Sequence, residues 1–257
     1  MPSEAERDRV TDRHGTDVVD ADAVVVEGSA PPSRRIPLDR QRILDTAVRF
    51  IDDHTLRDLT MRRLGGELGV EAMSLYRYVP GREELLDGVV EVILTEMHDD
   101  PDVLDEPSDG WQDYLQRIAH GVRRVALAHP GAFPLVASRP PEAPWLRPPL
   151  RSLRWVERFL DGLLREGFSD RAAIAAYRAF TSFLPGHLLL EVSSHGADIG
   201  PLDVLDDPEA EPGLDDYPHV SRLSDELAED HSAVEFEESL EVLLDRIALI
   251  QLQTPSG

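Results

Sequence analysis

At 257 residues and 41% hydrophobic composition, the chain can build one large domain or two smaller ones, and with no cysteine it can hold neither a disulfide nor a thiolate metal site. No apolar run approaches the roughly 20 residues a membrane span requires, and no basic-then-apolar leader opens the sequence, so the expectation is a cytoplasmic protein with no membrane partner. The net charge of −24 argues against a general nucleic-acid coat, unless the basic groups are concentrated in one place.

Residues 1–35 are acidic, lack periodicity and end in Ala30-Pro31-Pro32-Ser33-Arg34-Arg35, which predicts a disordered arm. Arg34 and Arg35 would alternatively reach phosphates or a minor groove, as basic arms can. A first helix is predicted from about Asp39 to His54, with Ile43, Leu44, Ala47, Val48, Phe50 and Ile51 inward.

The stretch 59–86, LTMRRLGGELGVEAMSLYRYVPGREELL, carries most of the information. Thr60 suits an N-cap, Leu64 and Leu68 lie one turn apart, and Gly69 suits the left-handed end of a short helix. A second short helix from Glu71 to about Arg77 offers Ala72, Met73, Ser74, Tyr76, Arg77 and Tyr78. Small, hydroxylated, aromatic and guanidinium groups so spaced fit base edges and phosphates in a major groove. Leu75 reads as core, and Tyr76 is alternatively packed beneath the recognition helix. Pro80-Gly81 then breaks the chain before Arg82 opens the next helix. The pattern is a helix-turn-helix.

The charge distribution agrees with this. From Ser33 to Arg82 there are ten Arg against seven Asp or Glu, a balance of +3, so the rest of the chain carries −27 of the total −24. Phosphate attraction depends on such local surplus. All 26 basic residues are Arg, and Lys and Asn are absent, which reads as the codon bias of a GC-rich genome.

A long helix follows from Arg82 through Leu85, Leu86, Val89, Val90, Ile93 and Met97, stopped by Asp99-Asp100-Pro101. Further helices are predicted over Trp111–His129, Arg147–Glu166, Asp170 to about Val192, and Phe236–Leu252. The stretch 196–230 is read as a mobile acidic loop. The fold class is therefore all-α, divided into an arm (1–35), a helix-turn-helix DNA-binding domain (36–84) and a helical effector-binding and dimerisation domain (85–257). No HExxH, HxH or nucleophile elbow appears, so neither catalysis, a metal site nor a cofactor is expected.

The segments ILDTAVRFIDDHTLRDLTMRRLGGELGV and LYRYVPGREELLDGVV resemble the DNA-binding domain of the tetracycline-repressor (TetR) family of transcriptional regulators. The segments GWQDYLQRIAHGVRRVALAHPG, LREGFSDRAAIAAYRAFTSFLPGHLLLE and FEESLEVLLDRI resemble its C-terminal domain, extending the likeness from about Leu38 to Leu252. Tyr78 and Arg82 stand where His and Lys are usual, and Ser239 and Arg246 where Gly is common. The resemblance implies a homodimer with a four-helix interface from about 170–195 and 235–252, a palindromic duplex operator, and release by a small-molecule effector. It implies base contacts by Arg62, Ala72, Met73, Ser74 and Arg77, and phosphate contacts by Tyr76, Tyr78 and Arg82. Aligned on Ser138-Arg139-Pro140, the metal-coordinating His of the tetracycline binders falls on Leu135, their drug-contacting amide on Ile118 and a pocket aromatic on Val122. Only His98 matches a drug-contacting His. A more apolar effector is therefore expected, with His98, Ile118, Val122, Leu135, Arg139, Phe183 and His187 as candidate lining. The alternatives are control by a protein partner docking at 201–230, and activation in place of repression.

Overall fold

The structure is a computed structural model that describes residues 37–104, 109–139, 145–146, 152–197 and 216–253. The predicted arm at 1–35 lies outside the described residues. All regular structure among those described is helical: α1 (Arg40–Asp53), α2 (Met61–Leu68), α3 (Ala72–Leu75), α4 (Arg82–Asp99), α5 (Pro101–Leu104), α6 (Trp111–Ala128), α7 (Pro134–Ser138), α8 (Leu153–Arg165), α9 (Asp170–Ser194), α10 (Pro218–Leu227) and α11 (Ser232–Gln253).

Side-chain caps start several of these helices. Asp39 accepts from the Arg42 amide, Thr60 from Arg63, Ser152 from Trp155 and Ser169 from Ala172, each occupying an amide that has no partner within its helix. Gly69, at φ 67°, closes α2 in the left-handed region. Within α9, Pro185 lacks the N–H that would reach the Thr181 carbonyl, yet the helix continues to Ser194.

One apolar cluster runs from the α1–α3 unit through α4 into α6, α7, α8, α9 and α11, and Leu38–Gly257 forms one compact unit. Helix α4 packs against α1, α5, α6 and α7, while α9 packs against α6, α8 and α11. At the centre of the larger part, Phe180 is fully buried, with Phe159 5.2 Å away and tilted against it.

Three differences from the sequence reading stand out. Helix α3 stops at Leu75, because the Tyr78 and Val79 amides both bond to the Leu75 carbonyl and turn the chain there. The short α5 and α7 were not anticipated, being too brief to show periodicity. Helix α10 lies inside the stretch read as an acidic loop. Pro218 occupies its first turn, where a missing N–H costs nothing; its apolar stripe is short (Val220, Leu223, Leu227), lies among acidic residues and buries no side chain. Residues 198–215 of that stretch and Arg147–Arg151 of the predicted α8 lie outside the described residues.

Replacing Phe180 with Ala should destabilise the protein by about 3–5 kcal/mol through lost burial and a residual cavity, measured as a lowered urea midpoint with unchanged slope. A loss below about 1 kcal/mol would mean that Phe180 is not central to the packing.

Candidate nucleic-acid interface and effector site

The α1–α3 unit holds its outer helix by close backbone approach. A Cβ at Gly65 would lie 2.9 Å from the Val70 carbonyl oxygen and 3.2 Å from the Ala72 nitrogen, so α2 and the start of α3 can approach only over glycine. The Val70 amide donates to the Gly65 carbonyl at 2.9 Å, and Leu64, Leu68, Leu75 and Val79 close the apolar side.

What remains outward is the set singled out in the sequence. Met73 is 73% exposed, Tyr76, Arg77 and Tyr78 are exposed, and Ala72 and Ser74 are half-buried along the same short helix. On α2, Arg62 is exposed and has no ion-pair partner among the described residues, and the same holds for Arg77. Arg63 differs: it pairs with Asp58 and lies over the Phe50 ring, 5.7 Å from its centroid. One cluster of side chains is thus pinned, and the neighbouring cluster is left available.

Arg82 requires a correction. Its guanidinium turns inward, donating to the carbonyl of Leu59 and, at 3.0 Å, to that of Leu56. Those carbonyls belong to the link between α1 and α2, so Arg82 braces the unit from the start of α4. Two of its nitrogens are engaged in this way.

The effector candidates do not converge. Ile118, Val122 and Leu135 are buried core. Arg139 grips α4 instead, meeting Glu83 at 2.7 Å and Asp87 at 2.8 Å. Phe183 and His187 pack against each other at 5.6 Å and against Phe236 of α11 at 6.5 and 5.4 Å. His98 stands apart: it is only 8% exposed, its Nε2 lies 3.4 Å from Ser152 Oγ, and its Nδ1 has no hydrogen-bond partner. Burial, reinforced by Arg154 and Arg158, pushes its pKa below the usual imidazole value and favours the neutral ring.

A cavity of about 690 Å³ opens elsewhere, between Trp145–Leu146, α8 and α9. None of the seven candidates lines it; Leu153, Val156, Leu160, Ile174 and Tyr177 form its apolar wall, with Arg154, Glu157 and Arg178 as its charged groups. The signal in the sequence was the α8 stripe Leu153, Val156, Leu160, which reads equally as core. Trp145, 74% exposed, sits between stretches with no periodicity and could not have been assigned. His98 does not line the cavity; its one link in that direction is the contact with Ser152, the residue that caps α8.

Against known proteins, the family description "Tetracyclin repressor-like, C-terminal domain" matches residues 104–249. The chain is similar to the HTH-type transcriptional repressor DrrR1 of Streptomyces coeruleorubidus, 30% identical over 62% of this chain and 54% of that protein. It is similar to the Tetracycline repressor protein class D of Escherichia coli, 30% identical over 62% of this chain and 69% of that one. Among solved structures, the TetR family protein ActR of Streptomyces coelicolor in complex with actinorhodin superposes with a TM-score of 0.59 at 27% identity, covering 82% of this chain and 96% of that one.

Replacing Arg82 with Met should free the Leu56 and Leu59 carbonyls and destabilise the α1–α3 unit by about 1–3 kcal/mol. Amide hydrogen exchange would report this as faster opening of α1 and α2, and unchanged exchange there would refute the bracing role.

Proposed function

Because the chain belongs to the tetracycline-repressor family of transcriptional regulators, we propose that its α1–α3 unit reads duplex DNA as one half of a homodimeric repressor released by a small, largely apolar effector. The observation that carries this reading is the outward cluster of Arg62, Met73, Ser74 and Arg77 on a rigidly spaced pair of short helices. Arg62 and Arg77 supply bidentate donors for base edges, Ala72 and Met73 apolar contact, and Tyr76 and Tyr78 hydroxyls for phosphate. Arg82 acts by holding that surface in shape.

Dimerisation supplies the second half-site, and α9 and α11 are the surfaces suited to it. Leu190 on α9 is 70% exposed, and Val242, Leu249 and Leu252 on α11 are exposed on the side away from Phe236, Leu240, Leu244 and Ile247. Apolar stripes of this kind call for a partner, and two-fold pairing of identical faces leads to a palindromic operator. Among the described residues no helix is long and apolar enough to cross a membrane, which fits a regulator working in the cytoplasm.

The effector site is the cavity beside α8 and α9, and His98 on α4 touches the residue that caps α8. Its apolar wall suits a flat, mainly hydrocarbon body, and Arg154, Arg178 and Glu157 supply its few polar handles. The neutral His98 ring with an unpartnered Nδ1 is a group that a bound hydroxyl or carbonyl would satisfy. That ActR was solved with actinorhodin, an organic ligand, supports a ligand-responsive reading of this fold.

Selection of bound duplexes from random DNA at near-physiological salt should enrich a two-fold palindrome. On that duplex, Arg62→Ala and Arg77→Ala should each weaken binding by about 1–3 kcal/mol and relax preference at one position per half-site. An unstructured pool with only salt-sensitive binding would defeat the reading. With the duplex in hand, Leu160→Trp, which fills the cavity, should abolish release by any effector found in a compound screen while leaving operator binding intact.

A further inference from the structure

The turn that follows α6 contacts two helices, α1 and α4, at once. His129 places Nδ1 2.8 Å from Asp52 Oδ2, near the end of α1, and Nε2 2.9 Å from Glu96 Oε2 on α4. A carboxylate can only accept, so both contacts are hydrogen bonds only when both ring nitrogens carry protons. A neutral ring would aim a lone pair at one of the two anions. The same turn is anchored a second way, since the Ala132 amide donates to the other Asp52 oxygen at 3.1 Å. It also lies directly on the α1 backbone: a Cβ at Gly131 would stand 2.7 Å from the Ile51 carbonyl oxygen.

We propose that His129, as the imidazolium, is a positioning residue that ties the DNA-reading unit to the body, and that operator affinity therefore depends on the protonation of this one ring. The proposal rests on the regulator reading above. With the tie made, α1 and α4 are held in one orientation, so the two reading heads of a dimer meet their half-sites pre-organised. Without it, each head must be ordered at the moment of binding, which lowers affinity without removing any contact to DNA.

The charged groups that face the ring are Asp52 from α1 and Glu96 from α4; its own turn, Pro130 to Phe133, holds none. The hydrogen bond to Asp52 raises the ring's pKa above its ordinary 6.5, opposed by partial burial and supported by the charge of Glu96. A pKa raised in the tied state gives a tie that is complete below the ordinary imidazole value and is lost as pH rises through the raised one. Operator binding should weaken in that direction. His98, the other buried imidazole, is shifted the opposite way and is not expected to share this profile.

The test uses the full chain with ring-nitrogen-labelled histidine, titrated from about pH 5.5 to about pH 9. One of the nine rings, identified by its disappearance in His129→Gln, should keep both nitrogens protonated to higher pH than the others. Asp52→Asn and Glu96→Gln should each return it towards them. In parallel, fluorescence anisotropy on the selected duplex should show wild-type affinity falling about three- to tenfold as this ring deprotonates, the size expected for the net loss of one hydrogen bond. His129→Gln should be weak throughout, and His129→Arg should recover affinity with the pH dependence removed. A ring that titrates with the rest, or His129→Gln with the wild-type pH profile, would overturn the proposal. If no duplex is selected, the regulator reading fails by itself. Hydrogen exchange at 50–54, corrected for intrinsic rates, then judges the tie: pH-dependent opening in wild type and none in His129→Gln supports it, and identical behaviour overturns it.

Discussion

Helix α4 is buried along most of its length and tied towards both of its ends, and the remaining architecture follows from that constraint. Leu85, Leu86, Val89, Val90, Ile93 and Met97 are buried, while Glu84, Glu91 and Thr95 leave one stripe of the helix exposed, so the helix cannot shift along its inner faces without opening the core. Its approach to α1 depends on a missing side chain, because a Cβ at Gly88 would stand 2.5 Å from Leu44 Cδ2. At the start of the helix Arg82 reaches back to the α1–α2 link, and Arg139 from the end of α7 grips Glu83 and Asp87. Towards its other end, Glu96 meets His129 and His98 meets Ser152. Each of these contacts is modest alone, but a helix fixed along its length moves as a rod, and a rod transmits displacement.

The larger part of the molecule is held by a different device. Glu191 is almost wholly buried on α9 and is met by Arg123 of α6 through three contacts between 2.6 and 3.1 Å. Burying such a pair costs desolvation that the mutual attraction only partly recovers, so its net stabilisation is small; removing one partner is what costs, at about 3–5 kcal/mol. The pair therefore fixes which faces of α6 and α9 meet more than it adds stability. Arg123 also covers the Phe236 ring at 4.9 Å, and Phe183 and His187 surround the same ring. That arrangement makes Phe183 and His187 parts of a joint between α6, α9 and α11.

Local signals were legible in the sequence and long-range ones were not. Thr60, Gly69 and the spacing of Leu64 and Leu68 announced the helix-turn-helix, because capping and periodicity are properties of a few consecutive residues. The exposure of Arg62, Met73 and Arg77 followed from the same short-range pattern. The bracing contacts of Arg82 were not legible, since nothing local shows that a guanidinium folds back 23 residues to a carbonyl. The lining of the cavity was not legible for a related reason: alignment to a pocket identifies positions, whereas the cavity depends on how Trp145, α8 and α9 are placed. His129 belongs to no motif in the sequence and became informative only once α1 and α4 stood on either side of it.

The two sets of contacts on α4 suggest how occupancy of the cavity would reach the DNA-reading surface. Ser152 caps α8 and touches His98, so a ligand that moves the first turn of α8 acts on α4 through that contact. The Arg139 and His129 contacts make α4 and α1 respond as one body. Release then requires only that the ligand favour the displaced position of α8 over the resting one; affinity for the cavity without that difference would change nothing. An apolar cavity suits this requirement, because its walls meet the ligand by shape. A molecule slightly too large for the resting spacing binds best when α8 and α9 part, and the strain it would otherwise suffer becomes the free energy that moves the rod.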